Sequence, residues 1–399
     1  MNEATHQDRS LSGGDVRLLA MVAGVAIANG YYVQPLINII SPSIGLSPLL
    51  WGLLASLTQL GLATGLLILL PLADIVPTRR LMITVMVAQV AALALIGLSA
   101  GPLTMLLGCF AVGFFGISPY LIPSYASTRT QPDRVAHVTG SLIRGVIVGI
   151  LLARTMSGLI ASRLGWRGVY AVAAVATMLA LLAALRVVQP ARAGLNSSYR
   201  SLLASMVSIA RGTRSLQGAA LVQAASFGCF NSFWVGSALY LHERFGWTTD
   251  RIGLVGLVAA AAASAAPAIG SLSRRLGAER VRLMGAFASM FSWALLGLFK
   301  DDLWAMGVAL VILDIASAVI DIANRTILYR EAPEIRGRLS AVYTIAMFVG
   351  GGLLSLVTGF LWSVLGWPGV CLAGTLSSVL AFAVALSARG GETGWRSPA

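Results

Sequence analysis

Long apolar stretches recur along this chain, each about 18 to 25 residues long, and short polar segments separate them. An α-helix rises about 1.5 Å per residue, so each stretch is long enough to cross the ~30 Å hydrocarbon core of a bilayer. The strict alternation of apolar and polar residues that a membrane β-barrel needs is absent. The pattern predicts an all-α integral membrane protein with twelve transmembrane helices, near residues 16–40, 49–71, 81–99, 103–127, 138–162, 168–188, 217–241, 250–272, 282–299, 303–325, 339–364 and 369–388.

The composition excludes a soluble multidomain enzyme. Of the 399 residues, 57% are hydrophobic and 11% are charged, whereas soluble proteins carry about 25% charged residues. The net charge of +13 does not indicate a nucleic-acid partner, because the arginines cluster in the short gaps between apolar stretches. Cys109, Cys229 and Cys371 lie inside apolar stretches and the three histidines are scattered. We therefore expect no metal site, no cofactor and no enzymatic activity.

The distribution of basic residues predicts how the chain lies in the membrane. With the N-terminus inside, 21 arginines fall in cytoplasmic segments, and the outer loops hold only Arg163, Arg167, Arg244, Arg251 and Lys300. Because cytoplasmic segments of membrane proteins are enriched in positive charge, both termini are predicted to be cytoplasmic in a bacterial inner membrane. The residues before the first apolar stretch are too polar for a cleaved signal peptide, so the first helix is expected to remain as an anchor.

The two halves of the chain are related by a shift of 201 residues. The shift aligns Gly45 with Gly246, Gly52 with Gly253, Gly158 with Gly359, and Leu164-Gly165-Trp166 with Leu365-Gly366-Trp367. Such a duplication predicts two six-helix bundles with a binding site between them at mid-membrane depth, which is typical of transporters. The predicted organisation is a cytoplasmic tail at 1–15, an N-terminal bundle at 16–190, a cytoplasmic linker at 191–216, a C-terminal bundle at 217–388 and a cytoplasmic tail at 389–399.

Two sets of motifs carry a family resemblance. The segment Leu-Ala-Asp74-Ile-Val-Pro77-Thr-Arg79-Arg80 resembles the signature loop of the major facilitator superfamily. The first helix reads Asn29-Gly-Tyr31-Tyr32-Val-Gln34-Pro35-Leu36 and, with Gly158, Gly165-Trp166-Arg167 and Leu313-Asp314, is similar to bacterial exporters of the arabinose-efflux-permease and acriflavine-sensitivity type. The resemblance implies alternating access and efflux, and it implies that Asp74, Arg79 and Arg80 form a conformational latch.

Four ionisable residues stand out away from the ends of the predicted spans, where a charge costs about 2.5–3.5 kcal/mol on insertion scales and is functional by default. They are Arg144 and Arg154 in the fifth span and Asp314 and Asp321 in the tenth. Arg154 and Asp314 lie about 24 and 17 Å from the cytoplasmic ends of their helices. Asp314 is therefore the candidate proton carrier, and Arg154 is its candidate charge partner or an anchor for an anionic substrate. The alternative is that Asp314 belongs to a purely structural buried network.

A second pair of these residues lies nearer the cytoplasmic ends of the same helices. In the superfamily fold these helix ends meet when the cytoplasmic side closes, so Arg144 and Asp321 form a candidate gate pair. The alternative is a local contact of Asp321 with Arg325, one helical turn away.

The first and seventh spans supply candidate substrate contacts. Pro35 removes a backbone hydrogen bond, so the first helix is predicted to kink or open there, as transporter helices often do at a binding site. Aromatic and amide side chains follow helical spacing in both spans, and we take Asn29, Tyr31, Tyr32, Gln34, Asn38, Gln223, Asn231 and Trp234 as candidates. The alternative is that these amides join helices to one another without binding a substrate.

The leading functional hypothesis is proton-coupled efflux of small organic molecules by alternating access. A proton-coupled importer or a facilitator with the same fold remains the first alternative, and a membrane sensor without transport is a remote one. The predicted partners are a small-molecule substrate, protons and the lipid bilayer, and the predicted oligomeric state is a monomer.

Overall fold

A computed structural model of the chain describes residues 11–189, 198–263, 275–331 and 335–391. The described residues form helices and no strands. In chain order the α-helices are α1 (Gly13–Ala28), α2 (Ile37–Ser43), α3 (Gly52–Ile68), α4 (Thr78–Gly97), α5 (Pro102–Phe114), α6 (Ser118–Ser127), α7 (Val135–Val187), α8 (Tyr199–Gly212), α9 (Arg214–Phe245), α10 (Thr249–Ala263), α11 (Ala278–Leu298), α12 (Leu303–Leu328), α13 (Arg336–Leu365) and α14 (Trp367–Gly391). Three short 3₁₀ helices lie at Gln34–Leu36, Pro48–Leu50 and Leu70–Asp74.

Helices long and apolar enough to cross a membrane dominate the described residues. Eight such segments are present, so the predicted all-α membrane fold is confirmed. One of them, the 53-residue α7, contains both the predicted fifth and sixth spans. The two are joined without a loop at Gly165, whose φ of 70° lies in the left-handed region that glycine tolerates. The number of twelve spans stays a prediction.

The first span is interrupted at the predicted place. Helix α1 ends at Ala28, and the chain then turns through five residues into the 3₁₀ helix Gln34–Leu36 before α2 begins. Across this break the amide of Leu36 donates to the carbonyl of Val33 at 3.1 Å, an i to i−3 bond in place of the α-helical one. The ring of Pro35 and its missing N–H account for the interruption. As a result, the side chain of Gln34 leaves the helix register and is fully buried.

The sequence repeat is visible in the backbone. Gly165 and Gly366 have φ values of 70° and 62°, and Gly45 and Gly246 have 68° and 63°. Each pair is separated by the 201-residue shift. The two halves therefore turn at equivalent positions, as the duplication predicts.

The halves meet along two seams at one end of the bundle. In the first, α3 packs on α13 where Gly52 lies against Gly359; in the second, α7 packs on α10 where Gly158 lies against Gly253. The hydroxyl of Thr155 also donates to the carbonyl of Gly253 at 3.0 Å. We call the end of the bundle that holds both seams the glycine end. The turns at residues 44–51, 163–167 and 246–248 also lie there. The two halves are in contact there.

The segment between the halves is more ordered than the predicted linker at 191–216. From Tyr199 onward it forms α8, and the next helix already begins at Arg214. Helix α8 buries Leu202 and Met206, one turn apart, and the hydroxyl of Tyr199 donates to the carbonyl of Ile68 at 2.9 Å. Leu202, Met206 and Ile209 follow the 3.6-residue period, so this amphipathic helix could have been recognised from the sequence.

One arginine that the sequence analysis counts in a cytoplasmic segment is buried inside the bundle. The sequence places Arg282 with the arginines of a cytoplasmic segment, but the structure buries it in the second turn of α11, 1% exposed. Its guanidinium approaches the carbonyl of Ala385 on α14 at 3.4 Å. The long side chain lets a residue near a helix end lie within the bundle.

Candidate functional site

A buried chain of polar side chains joins the two halves. Arg154 on α7 is 1% exposed, and its Nε–H donates to Oε1 of Gln34 at 3.0 Å. Gln34 in turn donates from Nε2 to Oδ1 of Asn231 on α9 at 3.0 Å. Asn231 donates to the carbonyl of Phe227 at 2.8 Å. The predicted residues from the first, fifth and seventh spans therefore meet at one point between the halves.

Three aromatic rings surround the guanidinium of Arg154. Its Cζ atom lies 3.9 Å from the ring centroid of Trp234, 5.1 Å from that of Tyr31 and 5.6 Å from that of Phe230. We call these three rings the aromatic cage. Contacts of this kind between a cation and a ring face are stronger where water is excluded. The cage stabilises a positive charge that would otherwise be costly at this depth.

The sequence analysis missed Phe230. It lies three residues after Phe227 and four before Trp234, so helical spacing could have found it. Polarity guided the selection of candidates instead, and a phenylalanine in an apolar span gave no such signal.

Several polar atoms at the site have no hydrogen-bond partner although they are buried. Among the described residues these include Nη2 of Arg154, Nε1 of Trp234, Oδ2 of Asp314 and both amide atoms of Asn38. Arg154 is in none of the ion pairs found among the described residues. The charges of Arg154 and Asp314 act on each other without direct contact. The site thus combines unmatched donors with one unmatched carboxylate oxygen.

Other predicted substrate contacts lie elsewhere. Asn29 donates from Nδ2 to Oγ1 of Thr177 in α7 at 3.0 Å, a bond within the first half. Gln223 accepts from Nδ2 of Asn324 at 3.4 Å, within the second half. Tyr32 is half-buried and packs against the apolar core. Asn29 and Gln223 make the kind of interhelical bond that the alternative interpretation describes, and their role in substrate binding stays a prediction.

The candidate gate residues are apart in this conformation. Asp321 accepts from Nε of Arg325 at 3.0 Å and from the hydroxyl of Tyr343 at 2.8 Å. Arg144 is exposed and donates to the hydroxyl of Ser141 at 3.1 Å. The local contact of Asp321 with Arg325 is therefore present, together with Tyr343, which the sequence analysis did not select. The gate pair is not formed in this structure and stays a prediction.

The candidate latch residues lie at the end of the bundle opposite the glycine end. Asp74 is exposed at the last position of the 3₁₀ helix Leu70–Asp74, and Arg79 and Arg80 lie in the first turn of α4. Helix α8 contacts the same 3₁₀ helix. The latch also stays a prediction. Within the described residues, no group of three or more His, Cys, Asp or Glu side chains could hold a metal ion.

Comparisons with known proteins agree with this architecture. The family model described as Major Facilitator Superfamily matches residues 19–351 and 219–398. The chain is 33% identical over 371 residues to "Uncharacterized transporter YgaY" of Escherichia coli O157:H7, covering 93% of this chain and 94% of that protein. It is 31% identical over 356 residues to "Probable transporter SCO4007" of Streptomyces coelicolor, covering 89% of this chain and 83% of that protein.

Solved structures show the same fold at low sequence identity. A bacterial homologue of the human lysosomal transporter Spinster, in an inward-facing and unoccupied conformation, matches with a TM-score of 0.76 at 16% identity, over 97% of this chain and 98% of that chain. The nucleoside transporter NupG matches with a TM-score of 0.75 at 14% identity, over 94% of this chain and 98% of that chain.

Proposed function

The chain belongs to the major facilitator superfamily and is a membrane transporter of that type, and on this premise we propose that it moves small organic molecules by proton-coupled alternating access. One observation carries the proposal. The hydrogen-bonded side chains of Arg154, Gln34 and Asn231 cross between the halves, and buried donors beside them stay unmatched. A transporter needs its binding groups at such a position, because relative movement of the halves then exposes them to either side.

The seams support alternating access. At the glycine end the halves touch through backbone, with Gly52 against Gly359 and Gly158 against Gly253. At the opposite end Arg144 is bonded to Ser141 on its own helix, and Asp321 is bonded to Arg325 and Tyr343 within the second half. A rocking motion that separates the glycine seams would bring the residues of the opposite end together, and it would turn the site from one face of the membrane to the other.

Asp314 supports proton coupling. Its Oδ2 atom is buried without a partner, and Arg154 is the one charged group found to act on it. A carboxyl group in a medium of low dielectric constant changes its proton occupancy when a neighbouring charge is neutralised or moved. A charged substrate bound at Arg154 would supply that change, because it would alter the net charge around Asp314.

The direction of transport has two candidates. The resemblance of the first span favours efflux, in which a proton enters as the substrate leaves. The unmatched Nη2 of Arg154 favours the second candidate, uptake. An anion at Arg154 and a proton on Asp314 together leave the site without net charge, so the two would enter together.

The test is flux in proteoliposomes with an imposed pH gradient, screened over cationic dyes, sugars and organic acids. We expect Asp314→Asn to abolish gradient-driven flux while its thermal unfolding stays near that of the wild type, because asparagine can still form hydrogen bonds but cannot exchange a proton. Arg163→Gln is the matched control, since it removes an exposed arginine from the same helix that carries Arg154. Wild-type flux in Asp314→Asn would make the proton-carrier assignment wrong and favour uniport.

The proposed location is the bacterial inner membrane with both termini cytoplasmic. The excess of arginine in the segments on that side supports it. A reporter fused after Ser198 should be cytoplasmic, and one fused after Asp301 should be outside. The reverse pattern would contradict the proposed orientation.

A further inference from the structure

The hydrogen-bonding groups around Arg154 have more donors than acceptors. Nε of Arg154 is matched by Gln34, Nε2 of Gln34 by Asn231, and Nδ2 of Asn231 by the carbonyl of Phe227. Each step of this chain uses an acceptor oxygen. Nη2 of Arg154 and Nε1 of Trp234 are buried and find none. A buried donor without an acceptor costs about 1–3 kcal/mol, and more when it is charged.

We propose that the transported molecule is an organic anion, whose carboxylate accepts hydrogen bonds from Nη2 of Arg154 and Nε1 of Trp234. This inference rests on the proposed transport function and names the substrate class of the same site. The carboxylate supplies the acceptors that the protein lacks there. The aromatic cage of Tyr31, Phe230 and Trp234 then borders an apolar or aromatic body.

Charge leads to the same substrate class. Arg154 is 1% exposed and in no ion pair found among the described residues, so with Asp314 protonated its charge repels a cationic substrate and attracts an anionic one. Neutral polyols need acceptors as well as donors, whereas the unmatched groups of Arg154 and Trp234 are both donors. A carboxylate therefore matches the unmatched groups best.

The same charges connect the anion with the proton. When Asp314 is ionised it offsets Arg154, so a bound anion would leave the site with an excess negative charge. When Asp314 is protonated, the anion alone offsets Arg154. Anion and proton therefore bind together, and each should strengthen the binding of the other. The site has no net charge when it is empty with Asp314 ionised, and again when it holds both the anion and the proton.

The other titratable groups near this pair are few. Tyr31, from the first span, places its ring centroid 5.1 Å from Cζ of Arg154. On the helix of Asp314, Asp321 and Arg325 lie two and three turns away and pair with each other. Neither of them replaces Asp314 as the proton acceptor beside Arg154.

The experiment measures binding separately from transport. Purified full-length protein in detergent is heated with benzoate, benzamide or benzylamine, which share one ring and differ in charge. We expect benzoate to raise the unfolding temperature, and the amide and amine to have little effect. Arg154→Gln should weaken benzoate binding about tenfold or more, as the loss of a charge-assisted hydrogen bond implies. Arg163→Gln, on the same helix, should bind like the wild type.

Two further variants keep the test informative if Arg154→Gln does not fold. Trp234→Phe keeps a ring over the guanidinium but removes Nε1, and it should weaken benzoate binding several-fold. Asp314→Asn is neutral at every pH, so its benzoate affinity should not depend on pH, whereas wild-type affinity should rise as the pH falls.

Each outcome has a definite meaning. Stabilisation by benzylamine or benzamide equal to that by benzoate overturns the anion assignment, and so does the absence of stabilisation by benzoate. If amines bind and a pH gradient still drives flux, the transporter proposal stands without an anionic substrate. If benzoate binds as expected but no gradient drives flux, the site assignment stands and proton coupling is wrong.

Discussion

Gly52 lies against Gly359, and together they bring the backbones of α3 and α13 into contact across the interface between the halves. A Cβ atom added at Gly52 would lie 3.0 Å from Cα of Gly359. The repeat places Gly253 and Gly158 in the equivalent relationship, where an added Cβ at Gly253 would lie 3.2 Å from Cα of Gly158. Closure at this end therefore depends on the absence of side chains.

We predict that Gly359→Leu favours the conformation in which the glycine end is open. The added side chain has no space against Gly52, and overpacking typically costs about 1–3 kcal/mol. The measurement is labelling by a membrane-impermeant maleimide of Ser41→Cys, a position buried in α2, in a chain without native cysteines. Labelling should be faster and transport slower than without the leucine. Gly307→Leu is the control, because nothing lies within 4 Å of a Cβ added there; equal labelling in both variants would contradict the prediction.

Gln34 should be a positioning residue for Arg154. Gln34→Leu leaves Nε of Arg154 and Oδ1 of Asn231 without their partners, and each such group costs about 1–3 kcal/mol. We expect a clear fall in the unfolding temperature. Gln131→Leu, at an exposed position, is the control and should unfold like the wild type.

Gln34→Glu tests charge at the same position. The new carboxylate would pair with Arg154 but could no longer donate to Oδ1 of Asn231, so the loss of stability should be smaller than in Gln34→Leu. Because the guanidinium is then neutralised by the protein, the variant should lose benzoate-induced stabilisation. Wild-type benzoate binding by Gln34→Glu would show that the charge of Arg154 does not attract the ligand.

The gate pair predicts a conformation-dependent cross-link. In the present structure Arg144 is bonded to Ser141, whereas Asp321 is bonded to Arg325 and Tyr343. With cysteines at both positions in a chain without native cysteines, a disulfide needs Cα atoms within about 7 Å. Adding Gly359→Leu should speed its formation, because in the proposed rocking motion the opposite end closes when the glycine end opens. The control pair uses Thr326, exposed on the same helix. An unchanged rate would exclude the gate pair.

An ion pair outside the membrane predicts a pH effect. Arg244 donates from Nε to Oδ1 of Asp301 at 2.7 Å, and this hydrogen bond lowers the pKa of Asp301 below its ordinary value. A carboxyl group with a lowered pKa stabilises the fold above its unfolded-state pKa, and that contribution is lost as the pH falls through its folded-state pKa. Arg244→Gln should therefore lower the unfolding temperature slightly at neutral pH, and the difference should vanish in acid. Arg251→Gln, also exposed, should show no such convergence.

Much of the fold could be predicted because the bilayer sets strict physical limits. The length of each apolar stretch predicted helices such as α4 and α12 within a few residues, and Pro35 predicted the interruption of the first span. The join at Gly165 was less visible. The sequence shows two apolar stretches there, but only the backbone shows that a single glycine connects them.

The site could be predicted only in part. Arg154, Gln34 and Asn231 stood out because polar groups in a membrane are costly, and they do lie together. The same reasoning also selected Asn29, whose bond to Thr177 depends on packing between two helices that no local pattern shows. It passed over Phe230, since a ring among other apolar residues carries no sign of the charge beside it.

The seams of bare backbone also bear on how fast the molecule can turn over. Dispersion attraction between packed surfaces weakens steeply once they separate by an ångström or less, and no interlocked side chain at Gly52 or Gly158 must change rotamer first. In the proposed rocking motion, opening at these glycines would be abrupt rather than gradual, because the surfaces either touch or are released. Directional contacts between the halves, such as the hydrogen bond of Thr155 to Gly253, would then supply a large part of the activation barrier.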